Sequence, residues 1–97
     1  MKLSTAMVER TLDHFQAQAI PENHPLLPEL NRVFGDHTFF IDGAGLHIAE
    51  PRIVADTGDE AVQVVKVARW QDAGRTRLEP HLPEPSDVVV PFDDDAR

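Results

Sequence analysis

Five histidines and no cysteine occur in this chain, so any metal site must be built from imidazole and carboxylate, a donor set that suits zinc, nickel or iron. His14, His24, His37, His47 and His81 show no HxH, HxxxH or HExxH spacing, so only the fold could bring ligands together. One local group can be assembled. If the runs on either side of Gly43 pair as a hairpin, Asp36, His37 and Glu50 meet at its open end, where they could bind a metal ion or share acid and base roles. The plainer reading of His37 and Glu50 is a polar cross-strand pair closing the end of a core face. That reading is the expected one, with no bound metal or cofactor.

Other chemistries find less support. Ser4 falls at a helix start and Ser86 in a proline-rich stretch, and neither has the glycines of a nucleophile elbow. Gly43-Ala44-Gly45 joins two strand-like runs, whereas a dinucleotide loop must open a helix. The one basic cluster is Lys66, Arg69, Arg75 and Arg77 around Trp70. Arginine beside an exposed aromatic ring can bind acidic or planar partners. Here Asp72, Glu79 and the aspartates at 93–95 are close enough in sequence to neutralise it.

Composition narrows the partners. Seventeen Asp and Glu against nine Lys and Arg give a formal charge of −8, which repels nucleic acid and anionic lipid. The absence of cysteine excludes a disulfide framework, a thiolate metal site and a cysteine nucleophile. No run approaches the roughly 18 apolar residues of a membrane span. Glu9, Arg10 and Asp13 interrupt what would have to be the apolar core of a signal peptide. A cytoplasmic protein is expected. Seven of the nine basic residues are arginine, which suggests a bacterium with a GC-rich genome.

The elements that must carry these residues follow from periodicity. At 97 residues one core is expected, here a single domain over residues 1–92 with a disordered acidic tail at 93–97. Leu3, Met7, Val8, Leu12, Phe15 and Ala19 recur at helical spacing and predict a helix over residues 4–19. A second helix is predicted at 26–34, with Pro28 in its first turn and Gly35 past its end. The stretch from His37 to Glu50 reads as a hairpin. With Gly43 and Ala44 as central loop residues, Phe39 faces Ile48 and Ile41 faces Leu46, which gathers four apolar side chains on one face. An odd loop would scatter them. Glycine at the first loop position suits a type II′ turn. Pro51 bends or ends the second strand. Residues 61–70, rich in β-branched valine, read as a third strand, the alternative being a helix capped by Asp56 or Thr57. The prolines beyond Asp72 predict an extended, polyproline-like path, with Val88–Val90 long enough for one short edge strand.

The resulting expectation is an α+β fold of order α-α-β-β-β, two N-terminal helices packed on one face of a three- to four-stranded antiparallel meander. The other face would then be left with Phe40, one valine pair such as Val65 and Val67, and Trp70. An apolar patch of that kind calls for cover, either from the chain's own Val88–Val90 or from a second copy, two-fold dimers being the commonest assembly. The functional expectation is therefore a small non-catalytic interaction module, a homodimer that could also bind another protein. The alternative is a small metal-binding protein or enzyme built round His37, Asp36 and Glu50.

Overall fold

The structure is a computed structural model and describes residues 3–21, 23–54, 58 and 60–91. The acidic tail expected at 93–97 lies outside the described residues. Seven elements follow in order: α1 (Thr5–His14), β1 (Gln18–Ala19), α2 (Leu27–Phe34), β2 (Phe39–Ile41), β3 (Gly45–Ile53), β4 (Glu60–Trp70) and β5 (Leu78–Pro91). The strands form one antiparallel sheet in sequence order, so the α+β meander holds while the strand count rises to five.

The first helix begins where expected and stops early. Ser4 Oγ accepts from the Met7 amide at 3.2 Å and caps it, and the buried Thr11 hydroxyl donates to the Met7 carbonyl. At Phe15 the backbone becomes extended, and residues that helical spacing had claimed form β1 instead. This gain is local: Gln18 and Ala19 pair with Ile41 and Phe40, and the Ile20 amide donates to the Phe39 carbonyl at 2.9 Å. The edge of β2 thereby finds partners for backbone groups that would otherwise stay open. The second helix matches its expected bounds, with proline in the first turn and Gly35 at its C-terminal cap.

The β2–β3 register is the one argued from burial, with Phe39 opposite Ile48 and Ile41 opposite Leu46. Successive strand residues point to opposite faces, and both faces are apolar. Phe39, Leu46, Ile48, Val65 and Val67 pack with Leu27 and Leu30 of α2. Phe40, Ala49, Val62 and Val90 pack with Met7 of α1. The two helices therefore cover opposite faces, which corrects the expectation that both sit on one. A strand apolar on both sides can bury both only in a three-layer arrangement. A register shift between Leu46 and His47 lets Val67 and Ala68 both join the α2-side core.

The last strand overturns the polyproline reading of residues 72–85. It runs 14 residues through Pro80, Pro83, Pro85 and Pro91, because an edge strand needs ladder donors on one side only. Where its register breaks against β4, side chains replace the ladder. Ser86 Oγ donates to the Val64 carbonyl at 2.7 Å, and Gln63 Nε2 donates to the Ser86 carbonyl at 2.8 Å. Strand β3 runs past Pro51 to Ile53, one of the two outcomes open at that proline. Among the described residues no helix is long and apolar enough to cross a membrane.

Candidate interaction groove

The hairpin ladder does not pair His37 with Glu50 as a cross-strand partner. The β2–β3 ladder ends at Phe39 and Ile48, short of His37 and Glu50. His37 lies with its ring 6.1 Å from that of Phe39, on the wall of a 160 Å³ cavity lined by Leu3, Val8, Ile20 and Leu27 but by neither acid. Small-molecule sites are larger, about 300 to 1,000 Å³. Burial pushes the His37 imidazole below its ordinary pKa, against the pull of the Glu50 and Asp36 charges. Among the described residues no three His, Asp or Glu groups converge as metal ligands.

Three of the four residues expected to face a partner are also displaced from that role. Phe40 is fully buried on the α1 side, and Val65 and Val67 are 5% exposed on the α2 side. Among the described residues α1 packs over the face that carries Phe40 and α2 over the face that carries Val65 and Val67. Trp70 alone stays half-buried.

Around Trp70 a groove opens between α2, the hairpin tip and the β4–β5 turn. Leu30, Phe34 and Leu78 form its apolar wall, and its volume is about 340 Å³. Leu26 and Val33, also lining it, are 59% and 48% exposed. Past Ile41, Trp70 and Arg75 it continues into a shallower cleft of about 550 Å³ beside Ala17 and Gly43. The indole is held in place: Trp70 Nε1 donates to the Asp42 carbonyl at 2.7 Å. Asp42 is itself fixed, since its Oδ1 accepts from His47 Nε2 at 2.9 Å and from the amides of Ala44 and Gly45. Burial alone would raise the Asp42 carboxyl, but those hydrogen bonds outweigh it and hold the group below the usual carboxylate range. His47 is pinned in turn by Phe15, its ring 4.7 Å away in an edge contact.

The same hairpin tip corrects the expected type II′ turn. Gly43 is not among the residues of positive φ, and Gly45 is, at 144°. Asp42 organises the loop through its side chain, as aspartate does in turns. Gly45 instead serves a close approach: a Cβ there would stand 2.1 Å from the Ala68 carbonyl oxygen.

Arg75 closes the groove at its mouth. The turn that carries it is built on Asp72, whose carboxylate accepts from the Thr76 hydroxyl at 2.5 Å and from the amides of Thr76 and Arg77. The Thr76 hydroxyl, with those amides, holds the Asp72 carboxyl below its usual range. Arg75 adopts φ 58°, a left-handed conformation that costs a non-glycine residue energy. Its guanidinium lies over Gly43, where an added Cβ would come within 3.2 Å of Nη2. Two ion pairs stand in and beside the groove, Glu29 with Arg32 and Arg69 with Glu79. The salt bridges among the described residues leave Arg75 out.

Sequence reasoning named Trp70 and Arg75 as part of the one basic, aromatic cluster and missed the α2 wall. Leu26, Leu27, Leu30, Val33 and Phe34 share a stripe of about 120°, ordinary for a core-facing helix, so nothing in the pattern marks Leu26 and Val33 as exposed. No family model matches the chain, and neither the curated proteins nor the solved structures contain a match.

Proposed function

We propose that the protein is a non-catalytic interaction module that binds its partner through the groove between α2 and the β4–β5 turn. The observation that carries this reading is the juxtaposition of exposed Leu26 and Val33, half-buried Trp70 and the guanidinium of Arg75 on one concave surface. Tryptophan and arginine dominate the energetics of protein contacts because they combine large apolar area with directed polar groups. The neighbouring polar groups are committed to architecture: Asp42 to the hairpin and Asp72 to the turn. The cysteine-free, acidic composition fits a cytoplasmic setting.

A photo-reactive p-benzoylphenylalanine placed at Val33 tests this in the native cell. A discrete cross-linked product is expected from Val33 and none from the same probe at exposed Glu84, further along β5 and outside the groove lining. Absence of a product from Val33, or equal labelling from Glu84, would overturn the assignment of the groove.

A further inference from the structure

The groove asks for a ligand that is apolar along its length and anionic where it meets Arg75. One segment of this chain has that chemistry. Phe92 is followed directly by Asp93, Asp94 and Asp95, an aromatic group next to three carboxylates. Guanidinium and carboxylate form the strongest class of charge-assisted hydrogen bond.

That segment cannot reach the groove of its own chain. Pro91 pairs with Ala61, whereas Trp70, nine residues further along β4, pairs with Leu78. At the rise of a strand the separation is about 30 Å. Asp95 stands four residues beyond Pro91, a reach of about 14 Å at full extension. A second copy removes the difficulty. Two chains lying side by side and antiparallel place the Pro91 end of each sheet beside the Trp70 end of the other.

Edge strand β5 and the free stretch of β3 offer no easier route to self-association. Pro80, Pro83 and Pro85 lie on edge strand β5, and Pro51 lies in the stretch of β3 beyond its pairing with β2. Proline on an edge removes donors that a further strand would need.

We infer that the groove receives the Phe92–Asp95 segment of a second copy. Phe92 enters the apolar cleft beside Trp70 while the aspartates engage Arg75 and the neighbouring Arg77. The exchange is reciprocal and closes a two-fold homodimer. This inference rests on the groove being a binding surface and adds the identity of its occupant.

Light scattering coupled to size exclusion at micromolar concentration tests it on the whole chain. A mass of two chains is expected for the intact protein. One chain is expected after deletion of residues 92–97 and in Arg75→Asn, which tolerates the left-handed backbone; circular dichroism should show both variants folded. A peptide with the sequence of residues 88–97 should also shift the emission of Trp70, the sole tryptophan, in the deletion protein. Its affinity should drop about tenfold or more in the deletion protein that also carries Arg75→Asn. A one-chain mass for the intact protein, a two-chain mass for the deletion, or no emission change up to millimolar peptide overturns the inference. If any of these occurs while Val33 still cross-links to a different protein, only the occupant falls and the groove remains; without that product both fall.

Discussion

Gly45→Ala is the substitution whose cost can be worked most directly from the structure. The new Cβ would meet the Ala68 carbonyl oxygen at 2.1 Å, the Arg69 Cα at 2.9 Å and the Ala68 carbonyl carbon at 3.0 Å. All three are backbone atoms of β4, so no rotamer change relieves the contact. The φ of 144° adds about 1 to 3 kcal/mol of conformational strain for any residue with a side chain. Relief requires β3 to move away from β4 at the Gly45–Arg69 pair, by more than an ångström judged against ordinary contact distances. That motion also loosens the Asp42 amide bond to the Gly45 carbonyl, 3.0 Å, and the Gly45 amide bond to Asp42 Oδ1, 3.1 Å; each contributes about 1 kcal/mol. A total loss of about 3 to 5 kcal/mol is expected, a large share of the roughly 5 to 15 kcal/mol that holds a domain folded. Gly43→Ala is the control. Its Cβ would meet only the flexible end of Arg75, at 3.2 Å, and should cost less than about 1 kcal/mol. Urea denaturation followed by circular dichroism measures both. Equal losses in the two variants, or a loss below about 1 kcal/mol at Gly45, would refute the close-approach argument.

Three further outcomes follow from the same geometry. Phe40→Ala should cost about 3 to 5 kcal/mol and Val65→Lys should unfold much of the population without merely changing the mass, because both positions are buried; Leu82→Ser, 86% exposed on the free edge, should change stability by less than about 0.5 kcal/mol in the same urea assay. The Asp42 carboxyl is lower in the folded state than in the unfolded chain, so its contribution is complete above about pH 4 and lost as pH falls through the folded value; the Asp42→Asn variant should lose part of this acid sensitivity in thermal unfolding below about pH 4. The His37 imidazole is also depressed, so the unfolded chain takes up its proton first and stability should decline as pH falls below about 6.5; His37→Gln should flatten that range, and an unchanged pH profile would contradict the burial of the ring.

Reading the elements from sequence worked where one local rule had no competitor. Burial allowed a single register for the hairpin from Phe39 to Ile48, and Pro28 and Gly35 bracket the second helix with residues that suit only those positions. The same approach failed where two rules compete over few residues. Phe15 and Ala19 continue a helical spacing, yet the chain turns extended there because β2 needs a neighbour, a need that is visible only once β2 has a place in the sheet. The prolines of β5 suggest a broken path by the donors they lack, yet an edge strand leaves half of its donors unused. The candidate site divides the same way: Trp70 and Arg75 stand out by type, whereas Leu26 and Val33 look like ordinary helix residues until α2 is placed across from them.

Composition and pattern alone determine an acidic chain without thiol chemistry, with an even-loop hairpin and a strand of valines apolar on both sides. These are properties of residue type and near-neighbour spacing, which the chain carries whatever its path. The tertiary structure alone decides that α1 and α2 take opposite faces, which buries Phe40, Val65 and Val67, sets His37 on a cavity wall that Glu50 does not line, and leaves Trp70 at the edge of a groove. Which face a helix covers depends on the route of the connections between distant segments. Burial favours cover on both faces without saying which helix provides it, and only the three-dimensional path of the chain makes that assignment.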